Sequence, residues 1–341
     1  MLARDWIPLL GRHARPDRVR ATLHLATTIA LFVGLYAAML WLADDHYPLA
    51  IALALPTACV MVRAFSIQHD CQHGSYFASR KVGDWVGRAL CVITLVPHGH
   101  HRRLHAVHHA VTGRLDKRKC ASDGFPRTAA DFDLITVAEF RSLRPGARRL
   151  YRFLRHPIVI FTVVPLYLFL FSYRVPILHP TSRHRGWLST QITNVAIVAV
   201  IAGVAVIAGP RFVAVFVPTL ICYVTVGVWM FYAQHQFEHT YWRAGAQWDV
   251  YEAALRGSSY LALPAPLHWL TGNIGMHHIH HLCPAIPSYR LPDCLRDYPE
   301  LARISRVGVA DSLRMLRLAL WDEGRERLVA FSELGRIRGE G

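Results

Sequence analysis

The stretch that decides the reading is His277-His278-Ile279-His280-His281, HHIHH. On a helix, a step of three or four residues returns to the same face. His277, His280 and His281 then form a fan whose last two rings diverge by about 100° at roughly 3.6 residues per turn. The same grammar recurs upstream. HRRLHAVHH (His101–His109) repeats the fan as His105, His108 and His109, and HDCQH stacks His69 one turn below His73. QHQFEHTYW (Gln234–Trp242) offers His235, with His239 as its competitor. Two fans, one pair and a ninth ring are too many imidazoles for one ion and suit two. Because neighbours such as His108 and His109 diverge, they are able to serve different ions. The pattern predicts a dinuclear, all-histidine metal site.

The setting is a membrane. Apolar residues make up 53% of the 341-residue chain, and they are gathered into long blocks. Residues 22–43, 48–66, 189–209 and 212–233 are each long enough, or nearly so, for the ~20 residues of a crossing. Residues 43–48 hold no Lys or Arg, as an outer loop should. Residues 1–21 read as a basic cytoplasmic lead without an apolar core. Residues 82–97, interrupted by Asp84 and Arg88, read as an interfacial helix. The segment 157–173, with Pro157 and Pro165, is at the lower length limit for a span. Parity decides it: ligands must converge on one side, and a fifth crossing would strand the last two clusters opposite the first two. It is therefore expected to be interfacial or re-entrant. Turns are expected at Gly124–Pro126 and Pro145-Gly146. Amphipathic helices are expected within Phe132–Leu154 and over Leu313–Leu328, and Trp248–Leu263 reads as an amphipathic stretch. The expected fold is one domain, 1–341, an all-α integral membrane protein. It has four transmembrane helices, interfacial helices and a cytoplasmic cap that carries the metal site, with both termini cytoplasmic.

A net charge of +15 in this setting marks loops that face anionic headgroups. No base-reading motif accompanies it, which excludes nucleic acid as the partner. The seven cysteines form no CxxC, which excludes a zinc ribbon or a disulfide framework. Cys71 and Cys283 lie in or beside clusters, but thiolates would make a softer site than the histidines ask for. Isolated histidines, His13, His24, His46 and His156 among them, receive no role. His98, His100, His101, His268 and His278 lie off the fans and are expected to pack around them. Zinc is satisfied by four ligands, and the paired Glu-x-x-His motifs of carboxylate di-iron bundles are absent. Two irons with open positions bind and reduce O2. Asp70, Glu238 and Asn273 are placed to orient ligand histidines as outer acceptors.

HDCQHGSYF, RLHAVHH, FYAQHQFEHTYW and NIGMHHIHHLCPAIPSYRL resemble the histidine boxes of the membrane fatty acid desaturases, particularly bacterial acyl desaturases similar to the Δ12/ω-6 branch. The resemblance runs in order from about residue 50 to about residue 295. One departure is His101, where a Trp commonly precedes the second box. The resemblance implies nine ligands: His69, His73, His105, His108, His109, His235, His277, His280 and His281. It further implies a non-haem centre of two iron ions, O2 as co-substrate and two external electrons. The product would be a cis double bond in a long acyl chain of a lipid. No flavin or haem motif is evident, so a separate, ferredoxin-like electron donor is expected. In a bacterium the location would be the inner membrane, with the boxes on the cytoplasmic side. A di-iron lipid or carotenoid hydroxylase or ketolase would share the ligand spacing. A metal transporter fits poorly, because its binding groups would lie near the bilayer midplane.

Overall fold

The computed structural model describes residues 1–117, 134–175 and 185–336. The turn expected at Gly124–Pro126 lies outside them. A short helix α1 (Trp6–Leu10) precedes α2 (Arg18–Leu42), whose first turn is capped by Asp17 accepting from the Arg20 N–H at 3.0 Å. The chain turns at 43–46 and returns through α3 (Tyr47–Ala52) and α4 (Ala54–His73). The break at Leu53 falls three residues before Pro56, whose ring excludes a regular helix preceding it. α4 runs unbroken through the first histidine cluster and stops at Gly74, left-handed at φ 75°. The second return is a hairpin of α10 (Arg185–Ala208) and α11 (Pro210–His235), joined at Gly209. Four helices are thus long and apolar enough to cross a membrane: Arg18–Leu42, Tyr47–His73, Gly186–Ala208 and Pro210–His235. They cover the expected spans except for residues 43 and 209, and two of them, the second and the fourth, end on a histidine.

Between them α5 (Arg80–Thr94) crosses α4, and α6 (His98–Val111) carries the second cluster. Gly87 makes the close crossing possible: a Cβ there would sit 2.3 Å from the His98 ring and 3.2 Å from Cys71 Cβ. Next come α7 (Val137–Ser142) and the basic amphipathic α8 (Pro145–Leu154). The segment Val159–Ser172, with α9 (Val164–Tyr167) at its centre, bends from α8 by 60°. It does not cross. Phe161 packs on Tyr232, less than one turn before His235, at a ring distance of 5.4 Å. At its other end Arg174 bonds Asn194 and the Leu95 carbonyl, near the start of α6. Both ends therefore lie near the histidine-bearing end of the bundle, and 14 helical residues reach only about 21 Å against ~30 Å of hydrocarbon.

The cap follows α11: α12 (Val250–Arg256), α13 (Ala265–Leu270), α14 (His277–Leu282), α15 (Leu291–Asp297) and α16 (Val309–Arg314). Helix dominates, but the cap also contains small sheets that the sequence reading does not anticipate. β2 (Tyr260–Ala262) pairs in parallel with β3 (Arg306–Gly308). β1 (Ile135–Thr136) pairs in parallel with β4 (Leu318–Asp322), which forms a hairpin with β5 (Arg327–Ala330). One expectation is corrected here. Of Leu313–Leu328, only the first residues are helical. Asp322 Oδ1 accepts from Gly324 N and Arg325 N, and Glu326 adopts φ 50°, so the chain reverses into a hairpin. The amphipathic stretch Trp248–Leu263 holds the helix Val250–Arg256 and then a strand. Short apolar runs do not distinguish strand from helix until a partner strand is present.

A second correction concerns the N-terminus. Residues 1–21 do have an apolar core: Ala3, Trp6 and Leu10 are buried in a cluster with Met276, Ile279, Leu282 and Leu291. Trp6 stands edge-on to Tyr298 at 5.8 Å. This segment therefore packs on the back of the helix that carries HHIHH. Trp6→Ala removes a buried aromatic from that contact. We expect it to cost about 3–5 kcal/mol, read as a lowered unfolding temperature of the detergent-solubilised protein.

Candidate metal centre

The centre is built at the ends of helices. α4 presents His69 and His73 on its last turn. α6 presents His105, His108 and His109, α11 ends on His235, and α14 presents His277, His280 and His281. These nine sort into two groups whose ring nitrogens lie within 4.8 Å of one another. One holds His69, His73, His105, His109 and His280; the other holds His108, His235, His277 and His281. Adjacent histidines are split between them, as their diverging rings require: His108 and His109 are inclined at 85°, His280 and His281 at 89°. Each fan instead gives an i, i+4 pair to one group, His105 with His109 and His277 with His281.

The nitrogens face each other at unusual spacings. In the larger group the Nε2 atoms of His69 and His105 are 2.7 Å apart, His105 and His109 2.9 Å, and His109 and His280 3.2 Å. In the smaller group the separations are 3.0 Å for His235–His277, 3.0 Å for His277–His281 and 3.2 Å for His108–His281. A neutral imidazole Nε2 carries one proton or one lone pair, so it cannot satisfy two such partners. The buried Nε2 of His73 has no hydrogen-bond partner. Two nitrogens at right angles on an ion with bonds of about 2.1 Å lie roughly 3.0 Å apart. The donor set thus fits two transition-metal ions with imidazole ligands.

The surroundings disfavour protonation of five of these rings, which suits ligation. Burial, then the neighbouring histidines, hold His105, His277, His280 and His281 well below the ordinary imidazole range; His109 is lowered for the same reasons. The Gly257 carbonyl lies 3.3 Å from His235 Nδ1, so the ring donates there and Nε2 is left to the centre. A backbone carbonyl 22 residues away leaves no mark in sequence.

The three expected orienting residues fare differently. Asp70 Oδ1 is 3.5 Å from His69 Nδ1, while its Oδ2 accepts from the Ser288 N–H at 2.6 Å. Asn273 donates to the Ser288 carbonyl at 3.2 Å and sits at φ 59°; it shapes the turn before α14 and bonds no ligand histidine. Glu238 turns away to Arg327 at 2.7 Å. Helix α11 stops at His235, so His239 is not on a following turn; it is exposed and belongs to neither group. Neither Cys71 nor Cys283 is in a group. Among the flanking histidines, His278 Nε2 faces the Leu301 carbonyl at 3.0 Å and His268 Nε2 accepts from Leu263 N at 3.2 Å.

Sequence reasoning misses a set of anchors on α4. Arg63 donates to the Trp269 carbonyl and lies over the Trp269 ring at 4.2 Å. Ser66 donates to the Gly272 carbonyl at 3.0 Å, and Asp70 accepts from Ser288. This row grips the main chain on both sides of HHIHH. Gly272, at φ 67°, permits the approach, since a Cβ would meet Ser66 Cβ at 2.9 Å. A second row grips the second cluster: Gln68 donates to the Val96 carbonyl at 2.7 Å, and Gln72 to the His98 carbonyl at 3.4 Å.

Four crossing helices with a two-group histidine centre at one end define a histidine-box membrane oxidoreductase. The family profile described as "Fatty acid desaturase" matches residues 46–310. A "Fatty acid desaturase" of Bacillus subtilis is 34% identical over 325 residues, 95% of this chain and 89% of that protein. The "sn-1 oleoyl-lipid 12-desaturase" of Synechocystis sp. is 26% identical over 254 residues, 69% of this chain and 64% of that protein. A second Synechocystis protein, "sn-1 acyl-lipid omega-3 desaturase (ferredoxin)", is 31% identical over 102 residues, 30% of this chain and 28% of that protein. The chain belongs to the fatty acid desaturase family.

Asp70→Ala leaves the buried Ser288 N–H without its charged acceptor. We expect a loss of about 1.5–3 kcal/mol in thermal unfolding of the purified protein. Asp70→Asn, which keeps one acceptor, should recover part of it.

Proposed function

We propose that the nine histidines hold two iron ions, one in each group, and that the protein desaturates a long acyl chain carried on a membrane lipid. The observation that carries this reading is the sorting of nine imidazoles into groups of five and four with mutually facing nitrogens. When bound, the metals would supply the O2-dependent oxidation of an unactivated C–H bond that no side chain here can perform by acid–base or nucleophilic means.

The chain's own residues do the rest. Burial of His69, His105, His108, His235, His277, His280 and His281 keeps bulk water from the reacting carbons. The α4 anchors hold the boxes in register, so that one pair of methylenes is presented in a constant geometry. An acyl chain enters naturally from the bilayer, since the centre lies at the ends of two helices long and apolar enough to cross it. The lipid-linked substrates in the names of the Synechocystis relatives support an acyl-lipid substrate.

Two electrons come from a separate donor. The ferredoxin in one relative's name supports a small acidic protein of that kind, and the charge of +15 favours its approach. The basic residues of α8 and the N-terminal segment support a cytoplasmic position for the centre and both termini.

The test is the fatty-acid methyl ester profile of cells expressing the chain with an electron donor, beside His277→Ala. A new unsaturated acid is expected with the intact chain and none with the variant. A hydroxy acid in its place would overturn desaturation. The purified protein should contain about two irons per chain. Alanine at a residue of either group should lose at least one iron while leaving the protein in the membrane. Retained iron and activity in His280→Ala or His281→Ala would overturn the ligand assignment.

A further inference from the structure

His101 is the point at which the chain departs from the pattern of its second box, and the structure gives it specific partners. Its Nδ1 donates to Gln72 Oε1 at 2.7 Å. The amide is oriented by its other end, whose Nε2 faces the His98 carbonyl at 3.4 Å. The His101 ring lies nearly parallel to that of His105, at 15° and 5.5 Å between centroids. Phe65 closes on it edge-on at 5.3 Å, and Tyr173 at 6.2 Å. Gln72 is the neighbour of His73 on α4, and His101 is one turn before His105 on α6.

We propose that Gln72 and His101 form a positioning pair that sets the ring plane of His105 and so tunes the five-histidine group alone. The inference rests on the reading that this group holds a metal. The physical logic is that an imidazole ligand has two soft torsions and must aim one lone pair. Among the described residues, His105 Nδ1 has no carboxylate or carbonyl partner to fix that aim, such as His235 has in Gly257. A near-parallel ring offset beside it at 5.5 Å restricts the same torsion. That ring is itself restrained by a hydrogen bond, by Phe65 and by Tyr173. Among the described residues, the rings in contact with His101 are those of Phe65, His105 and Tyr173, none of them in the four-histidine group.

The test is a cobalt(II) titration of the purified, metal-stripped full-length protein, followed by its visible absorption. The wild-type chain should take up two equivalents. In Gln72→Leu and His101→Phe, which keep the bulk and remove the hydrogen bond, one equivalent should bind about 10–100-fold more weakly. The other should be unchanged. The double variant should be no weaker than the weaker single variant, because both remove one shared contact. Gln72→Glu, which keeps an acceptor facing Nδ1, should bind both equivalents at or above wild-type affinity. Wild-type binding of both equivalents in Gln72→Leu and His101→Phe would overturn the inference, and so would equal weakening of the two. A wild-type chain that takes up fewer than two equivalents overturns the metal reading itself.

Discussion

Polar side chains buried in the last turns of an apolar helix have no water to bond, so each must find a partner in another segment. That requirement organises this molecule around α4. Arg63, Ser66, Gln68, Asp70 and Gln72 are all buried there, and their partners are main-chain groups of the segments that carry the other histidines. One row reaches the turns flanking α14, the other the turn leading into α6. The first box is therefore both a ligand source and the frame against which the second and third boxes are set.

The rest of the architecture can be understood as support for that frame. Two helical hairpins return the chain to the same end of the bundle, which is why both returning spans finish on histidines. The N-terminal segment fills the back of α14 with Trp6 and Leu10. The cap's small sheets tie distant chain regions together: β1 joins the stretch after α6 to the C-terminal hairpin, and β2 with β3 brackets α13, α14 and α15. The short α14 makes few backbone bonds of its own. Its position is held from α4, from the N-terminus and from the Ser259 carbonyl, which accepts from His278 N at 3.2 Å.

The histidine centre was legible because its geometry is mostly local. Spacings of three and four residues decide which rings share a helix face, and the divergence of adjacent rings follows from the same angle. His235 and His239 could not be ranked by spacing alone, because the choice depends on where α11 stops. Asp70 was found through its place beside His69. Glu238 looked equivalent and was not, since Arg327 draws it to the C-terminal hairpin from 89 residues away. The anchors of Gln68 and Gln72 went unread, since glutamine beside a ligand has no meaning until its carbonyl partner is known.

By itself, then, the sequence determined the membrane class, the four helices long and apolar enough to cross, and the set of rings able to converge. These follow from apolar length, from helix periodicity and from the family that the box sequences resemble. Only the tertiary structure decided how nine imidazoles divide into five and four, which carbonyl orients His235, and that the N-terminus and the 318–330 hairpin belong to the cap. The reason is physical: periodicity is a property of one segment. A lone pair's direction, a buried donor's partner and a strand's register are properties of two segments, and they exist only once the chain has brought those segments together.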